Sequence, residues 1–466
     1  MTHDYRIDER HIGRISAVNR VPHSIATFAI DRRRALQLSA ASAGLAALSL
    51  RAAAAQADAT PGATPVALDE IPVSGEDVPE LSGFDTAIAE TMSRWNLPGG
   101  QLAIARDGRL IYNRGFGIAS VEDGEDVQPD SRFRIASNSK PITAVAILKL
   151  VDAGELTLDT PVFPLLALEG PPNAPYDARL DSITVEQLLV HSGGWNSAAT
   201  GFDPQYPPGS VMASHVLGAE SPADPETIVR YMLSQPLDFD PGTVSAYSNF
   251  GFNVLGRVIE HVSGQPYEQF TIDEVLAPAG ITSMAIGGTT LAERMEGEVR
   301  YYSPPGLPTR ESVYPGEGFV PTGYGGYSIP GLDAHGGWIG SATDMVRFAL
   351  AVDGKRGSAL LTPEAVTSME TTTRPPSAAA GAGNVETSLG LGWNSVEMDG
   401  GYEWTHSGAL EGSNCAWMVR KPDGTTAAVV FNSLPQDFPG FFGDLIPRFQ
   451  EMLGGVTAWP ETDLFG

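Results

Sequence analysis

Apolar residues recur at helical spacing near the start of the chain and again in its middle. Between Leu81 and Trp95 the apolar side chains fall on one stripe, which includes Phe84, Ile88 and Met92. This pattern predicts an amphipathic helix. The same spacing predicts a helix that begins near residue 137 and continues through the apolar run 142–151, and three more over 185–190, 226–233 and 250–262.

Short β-rich runs lie on both sides of these helices. Residues 100–105 and 110–118 are separated by a segment with Asp107-Gly108, which is a strong hairpin signal. Four late runs predict antiparallel strands over 390–395, 401–405, 413–420 and 425–432. A closing helix is expected over 441–453, where Pro447 should either kink the helix or delay its start.

Strands therefore occupy both ends of the chain and helices its middle. If both sets of strands form one antiparallel sheet, the fold class is α+β, with helices flanking the sheet and a mainly helical insertion. We expect the sheet domain to comprise residues 81–155 and 331–466, and the inserted domain to comprise 156–330. Residues 294–337 are rich in Gly, Pro and Tyr and predict a long loop. We expect some of its aromatic side chains to form a pocket wall, among them Tyr301, Tyr302, Tyr324 and Tyr327.

The first 57 residues have the features of an export signal. Arg32-Arg33 resembles a twin-arginine motif, an apolar small-residue segment runs from 38 to 50, and residues 55–57 offer an A-x-A cleavage site. The alternative to an export signal is that this N-terminal segment forms a short anchoring or amphipathic helix. Residues 58–80 are expected to be a flexible linker. We therefore expect a periplasmic or extracellular protein without a stable membrane span after signal removal.

Composition narrows the possible partners. The 466 residues carry a net charge of −27, and since residues 1–57 contribute +4, the remainder carries −31. Such a surface repels nucleic acid and anionic lipid. The single cysteine, Cys415, excludes an intrachain disulfide. The histidines show no metal-ligand spacing with a third ligand, so we expect no metal and no other cofactor.

Ser137 and Lys140 are the strongest candidates for chemistry. They form the only Ser-x-x-Lys in the chain and stand at the predicted start of a helix. Residues three apart share one face of a helical turn, so the amine can take the proton of the hydroxyl if burial or nearby positive charge keeps it neutral. The alternative is that Ser137 caps the helix.

Two further motifs follow in the chain. Tyr247-Ser248-Asn249 is the only Tyr-x-Asn and precedes a predicted helix, where Asn249 alternatively caps that helix. His406-Ser407-Gly408-Ala409 lies between strand-like runs. Ser-x-x-Lys, then Tyr-x-Asn, then Lys/His-x-Gly is the order found in penicillin-recognising serine hydrolases, and the chain resembles their class C β-lactamase-related branch. Segments 102–108, 132–137, 156–162, 183–194 and 336–344 agree, and the resemblance spans residues 82–455.

The resemblance implies an α/β sandwich of the β-lactamase/transpeptidase type and an acyl-enzyme on Ser137. Lys140 and Tyr247 would share the proton transfers, and which of them is the general base is open in the family. The phenol would need a neighbouring cation to lower its pKa, and Lys140 is the candidate. Asn249 would donate a hydrogen bond to Lys140 or to a substrate amide.

The remaining motif supplies the implied binding groups. The backbone N–H groups of Ser137 and Ala409 would form the oxyanion hole. His406 and Ser407 would line a strand edge along which an extended substrate lies. Gly408 follows them in the motif and precedes Ala409. His191, His261 and His335 are interpreted as structural.

The motif with His406 departs from β-lactamases of this branch, which have lysine there. A mostly neutral imidazole suits the carboxylate of β-lactams less well than a fixed ammonium. We therefore expect an exported serine hydrolase acting on small-molecule or peptide substrates, either esters or D-amino-acid-containing amides. The alternatives are a β-lactamase or penicillin-binding DD-peptidase, and a non-catalytic ligand sensor. An α/β-hydrolase is disfavoured because the chain has no Gly-x-Ser-x-Gly. The oligomeric state stays open.

Overall fold

A computed structural model of the protein describes residues 71–378 and 389–465. The predicted export signal and residues 58–70 of the predicted linker lie outside the described residues. Within residues 71–80 the chain is not a free spacer, because Val73–Ser74 pairs with a long strand through Phe116 and Gly115. A two-residue strand is too short to leave a periodic pattern in the sequence.

The described strands come from both ends of the chain and from short segments of its middle. In chain order they are β1 Val73–Ser74, β2 Gly99–Arg106, β3 Arg109–Ser120, β4 Glu125–Asp126, β5 Phe133–Arg134, β6 Ala285–Ile286, β7 Arg310–Glu311, β8 Phe319–Val320, β9 Trp338–Gly340, β10 Asn394–Met398, β11 Gly401–Leu410, β12 Asn414–Arg420 and β13 Thr425–Phe431. The main sheet has the order β1-β3-β2-β13-β12-β11-β10, with β4 beside β3, and all its pairs are antiparallel. This confirms the predicted α+β class.

The described helices fill the middle of the chain and flank the sheet. In chain order they are α1 Ser82–Trp95, α2 Ser139–Asp152, α3 Val162–Leu166, α4 Val185–Leu189, α5 Ser197–Thr200, α6 Gly209–Leu217, α7 Pro225–Met232, α8 Asn249–Ser263, α9 Tyr267–Thr271, α10 Asp333–Gly336, α11 Ala342–Ala351, α12 Pro363–Thr371 and α13 Phe438–Gly455. Among the described residues, none of these helices is both long and apolar enough to cross a bilayer.

Two predictions for the C-terminal part are wrong in detail. The run 390–395 is not a strand, because Gly390 and Gly392 adopt positive φ angles of 104° and 71° and the strand begins only at Asn394. The closing helix α13 starts before the predicted residue 441 despite Pro447. Its N-terminus is set by Asp437, whose side chain accepts a hydrogen bond from the Gly440 N–H.

The alternation of residues along the strands separates two cores. On β2, Leu102 and Ile104 face a cluster that includes α1 and α13, whereas Ala103 and Ala105 face a cluster that includes α2, α8 and α11. Successive side chains of a strand point to opposite faces of the sheet, which explains the division. The cluster that contains Ala103 and Ala105 joins the sheet to the helical middle of the chain.

The connection from β5 to α2 places Ser137 between sheet and helices. A 3₁₀ turn over Ala136–Asn138 precedes α2. Ala136 is buried and has a φ of 49°, a region that residues with a side chain seldom occupy. Helix α2 itself is buried from Ser139 to Leu148, as expected of a central helix. The turn therefore rests on a rigid support.

Candidate active site

Ser137 is half-buried on the 3₁₀ turn, and its hydroxyl has two side-chain partners. The oxygen lies 3.0 Å from Lys140 Nζ and accepts a hydrogen bond from Tyr247 Oη at 2.8 Å. The capping alternative is wrong, because α2 begins at Ser139 and no side chain caps its first turn. The Ser-x-x-Lys spacing thus brings the hydroxyl and the amine together, as the helical turn predicts.

Lys140 is fully buried in α2 and touches three neutral oxygens. Besides Ser137 Oγ, its Nζ lies 2.8 Å from Asn249 Oδ1 and 2.9 Å from the His335 carbonyl oxygen. Burial holds the pKa of Lys140 well below its ordinary value, and the carboxylate of Asp203 opposes this shift only in part. An amine with a lowered pKa can accept a proton.

Tyr247 is placed by the start of α8. Ser248 is the residue that caps this helix, since its Oγ accepts a hydrogen bond from the Gly251 N–H at 3.1 Å. Asn249 is therefore the first helical residue, not the cap. Burial raises the pKa of Tyr247. The expectation that Lys140 would lower this pKa is wrong, because the lowering comes from the Ser137 hydrogen bond and the Arg374 charge, and burial outweighs both.

Asn249 contacts Lys140 as predicted, but with the opposite hydrogen-bond direction. Its Oδ1 accepts from Lys140, and its Nδ2 donates to Asp203 Oδ2 at 2.8 Å. Asp203 lies between α5 and α6, outside any motif, and sequence reasoning missed it. Burial raises the pKa of this carboxyl group.

The second half of β11 runs alongside the 3₁₀ turn with one edge open. Strand β10 pairs with β11 only over residues 401–405, so residues 406–410 of this edge have no strand partner in the described part of the chain. A Cβ atom on Gly408 would lie 2.4 Å from the Ile135 carbonyl oxygen and 2.9 Å from the Ser137 nitrogen. Only glycine permits this approach of the strand to Ser137.

The side chains of β11 alternate in burial. His406 is 6% exposed, whereas Ser407 and Ala409 are half-buried. Nδ1 of His406 lies 2.8 Å from the Ser407 carbonyl oxygen. Burial, together with Lys140 and Arg374, lowers the pKa of His406 to about 3, so the imidazole is uncharged at neutral pH.

Arg374 is a buried cation that sequence reasoning also missed. Its guanidinium donates to the carbonyl oxygens of Gly390 and Trp393 and to Asn394 Oδ1. Burial lowers the pKa of Arg374 to about 10, and Tyr247 acts in the opposite direction. The residue therefore fixes the segment before β10 and places a positive charge near the phenol.

The sequence interpretation of His191 and His335 as structural is incomplete. His191 contacts Tyr247 through its ring, and Lys140 uses the backbone carbonyl of His335. Burial lowers the pKa of both imidazoles well below the ordinary value. Both residues thus support groups that contact Ser137.

A cavity of about 180 Å³ is lined in part by Asn249. Its wall combines polar groups of Asp203, Asp238 and Asn249 with the apolar side chains of Trp195 and Phe250. Neither Ser137 nor Lys140 lines this cavity, which reaches the cluster around Ser137 only through Asn249.

The tyrosines of the long loop do not line this cavity. Tyr301 Oη accepts from the Arg134 N–H at 2.7 Å, and Tyr324 Oη accepts from the Tyr301 N–H at 2.9 Å. Tyr302 Oη accepts from the Val121 N–H at 2.7 Å, and the buried Tyr327 contacts the Glu411 carbonyl oxygen. The phenols of this irregular segment instead satisfy backbone groups, and a pocket wall built from them stays a prediction.

Comparison with known proteins points to one family. Residues 84–443 match the family model described as Beta-lactamase. Esterase EstB from Burkholderia gladioli is 28% identical over 400 residues, which cover 81% of this chain and 96% of that protein. A putative D-alanyl-D-alanine carboxypeptidase from Escherichia coli O157:H7 is 29% identical over 234 residues, 47% of this chain and only 51% of that protein.

Solved structures share the architecture. D-amino acid amidase from Ochrobactrum anthropi SV3 superposes with a TM-score of 0.58 at 22% identity, covering 79% of this chain and 97% of that one. The octameric penicillin-binding protein homologue from Pyrococcus abyssi superposes with a TM-score of 0.57 at 24% identity. The match covers 81% of this chain and 78% of that one. These likenesses show the fold, and the match to the family model covers most of the chain. The chain therefore belongs to the Beta-lactamase family, the serine hydrolases that its motifs resemble.

Proposed function

We propose that the protein is an exported serine hydrolase that forms an acyl-enzyme on Ser137, with esters or D-amino-acid-containing amides as substrates. The observation that carries the proposal is the contact of one half-buried hydroxyl with both Lys140 Nζ at 3.0 Å and Tyr247 Oη at 2.8 Å. The likeness to an esterase over most of both chains supports the ester reading, and the fold of a D-amino acid amidase is compatible with the amide reading.

Lys140 is the better general base in this arrangement. A neutral amine has two N–H bonds and one lone pair. Asn249 Oδ1 and the His335 carbonyl oxygen accept the two N–H bonds, which leaves the lone pair for the Ser137 proton. Tyr247, whose phenol keeps its proton, then donates to Ser137 Oγ rather than removing its proton.

The reaction follows from these positions. Lys140 takes the Ser137 proton as Oγ bonds to the substrate carbonyl carbon, and the backbone N–H groups of Ser137 and Ala409 stabilise the oxyanion. Tyr247 gives its proton to the departing alcohol or amine and is reprotonated from Lys140. Water then attacks the acyl-enzyme by the reverse route and releases the acid.

The test combines substrates with covalent labelling. We would assay p-nitrophenyl esters, D-alanyl peptides and nitrocefin with the wild type, Ser137→Ala and the surface control Ser182→Ala, and measure fluorophosphonate adducts by intact mass. Removal of a nucleophile from a comparable serine protease costs roughly 10⁶ in turnover. A Ser137→Ala loss below about tenfold, or an adduct that survives it, would favour the sensor alternative.

Export rests on the sequence features of residues 1–57, above all Arg32-Arg33 and the A-x-A site at 55–57. The test is cell fractionation of the full chain beside an Arg32→Lys/Arg33→Lys variant. Recovery of the variant in the exported fraction at the wild-type level would exclude a twin-arginine route.

A further inference from the structure

The amide of Asn249 links Lys140 to a carboxylate that no motif identifies. We propose that Asp203 is a positioning residue, whose carboxylate fixes the Asn249 amide so that the Lys140 lone pair points at Ser137. This inference rests on the proposed function, because the direction of a lone pair matters only if Lys140 takes the Ser137 proton.

The first step is the geometry of the chain of contacts. Asn249 Oδ1 lies 2.8 Å from Lys140 Nζ, and Asn249 Nδ2 lies 2.8 Å from Asp203 Oδ2. Asp203 is itself held in its loop, because its Oδ1 accepts from the Gln205 N–H at 3.2 Å and its carbonyl accepts from the Tyr206 N–H at 3.2 Å. Every link between Asp203 and Ser137 is thus a direct contact.

The second step is the choice between the two orientations of the amide. An asparagine side chain carries donors on its nitrogen and acceptors on its oxygen, whereas an ionised carboxylate only accepts. Asp203 must therefore face the nitrogen of Asn249, since the reversed amide would put two oxygens in contact without a hydrogen between them. The oxygen of Asn249 consequently faces Lys140.

The third step concerns the amine. With the Asn249 oxygen and the His335 carbonyl oxygen on two sides, the neutral amine must direct both N–H bonds to them. The remaining contact of Nζ, at 3.0 Å, is with Ser137 Oγ. A reversed Asn249 amide would instead donate to the lone pair and occupy it. Asp203 thus sets the direction of the base without touching substrate.

The test replaces the acceptor-only group by its isostere. In Asp203→Asn both orientations of the Asn249 amide become possible, so we expect kcat for the neutral substrate p-nitrophenyl acetate to fall roughly 10²-fold, the loss typical of a misplaced catalytic group. We expect KM to change less than about threefold and the fluorophosphonate labelling rate of Ser137 to fall in parallel with kcat. The matched control is Asp238→Asn, which alters another carboxylate of the same cavity that accepts from the Asn196 N–H at 2.7 Å.

A second variant separates positioning from folding. Asn249→Asp combined with Asp203→Asn again presents only oxygen to Lys140, and the new carboxylate raises the pKa of the amine. We expect the double variant to recover activity over Asp203→Asn at alkaline pH, with its acid limb shifted to higher pH. A purely structural role for Asp203 predicts no recovery at any pH.

Several outcomes would overturn the inference. One is an unchanged labelling rate in Asp203→Asn. Another is a loss confined to KM for substrates with a free ammonium group, which would make Asp203 a binding group. If Asp203→Asn is fully active while Ser137→Ala is inactive, only this inference fails. If Ser137→Ala stays active, the proposed function itself fails.

Discussion

The imidazole of His191 lies against the phenol ring of Tyr247, with the ring centroids 4.7 Å apart and the planes inclined by 36°. Nδ1 of the same imidazole accepts a hydrogen bond from the Ser248 N–H at 3.2 Å. The ring also contacts Phe252 at 5.2 Å. One buried side chain on the loop after α4 thus fixes the proposed proton donor and the backbone that follows it.

Replacement of this ring should misplace Tyr247. His191 has a φ of 58°, so His191→Asn is the suitable variant, since asparagine tolerates that conformation. We expect kcat to fall by up to roughly 10²-fold. We also expect the free energy of unfolding to fall by about 0.5–1.5 kcal/mol for each aromatic pair that is removed. Steady-state kinetics and urea unfolding measure both effects, and His261→Ala, at an exposed histidine of α8, is the control. Wild-type kcat in His191→Asn would show that the stacking does not hold the phenol.

The buried histidines make the stability of the fold depend on pH. Burial lowers the pKa values of His191, His335 and His406 in the folded state. Below the unfolded value near 6.5, the unfolded chain therefore binds more protons than the folded one, so stability falls as pH is lowered. Each group contributes up to about 1.4 kcal/mol per pH unit, and for His406 the window extends down to a pKa of about 3.

Urea unfolding between about pH 8 and 5.5, which spans the ordinary histidine pKa, tests this dependence. We expect a plateau above pH 6.5 and a decline below it, and His406→Gln should show a shallower decline than the wild type. Equal slopes in the two proteins would show that this imidazole titrates in the folded state.

Gly408 should be intolerant of any side chain. The methyl group of Gly408→Ala would collide with the Ile135 carbonyl oxygen and approach the Ser137 nitrogen. Strand β11 must then move away from the 3₁₀ turn, which separates the two proposed oxyanion donors. Loss of one such donor costs roughly 10²–10³ in kcat. Gly83→Ala is the control, because nothing lies within 4 Å of its added Cβ. A Gly408→Ala enzyme with wild-type turnover would show that Ala409 does not contribute to the oxyanion hole.

Local signals in the sequence predicted the elements that are stabilised locally. The helix with Ser137 and Lys140 follows from apolar spacing, and the hairpin of β2 and β3 follows from Asp107-Gly108. The sequence does not predict by itself that β13 pairs with β2, and the single sheet follows only if the early and late strands join. Strands more than 300 residues apart in sequence carry no local signal for each other. The resemblance supplied the meeting of Ser137 with Tyr247.

The residues that reasoning missed act through long-range contacts. Asp203 and Arg374 lie in irregular segments, and each reaches the site through a partner that is remote in sequence. Their roles depend on burial and on the direction of hydrogen bonds, which neither residue type nor spacing reveals. The same holds for Tyr247, whose pKa direction was inferred from a neighbouring cation although burial decides it.

His406 offers a test of how the charge beside Ser137 selects substrates. Its imidazole is buried and uncharged at neutral pH, and the nearby Arg374 directs its guanidinium to backbone carbonyls and Asn394. His406→Lys would add an ammonium group on β11. We expect faster acylation by the anionic β-lactam nitrocefin and an unchanged rate with a neutral p-nitrophenyl ester at its optimum pH.

The same variant should shift the pH profile in a defined direction. A second cation near Lys140 disfavours the charged form of its amine, so the pKa of Lys140 falls further and the acid limb of kcat/KM moves to lower pH. His406→Gln serves as the uncharged control and should leave both readouts near the wild type. If His406→Lys changes neither the rate of acylation by nitrocefin nor the pH of the acid limb of kcat/KM, position 406 does not face the ligand carboxylate. The absence of a lysine at this position would then be no reason to expect weak β-lactamase activity.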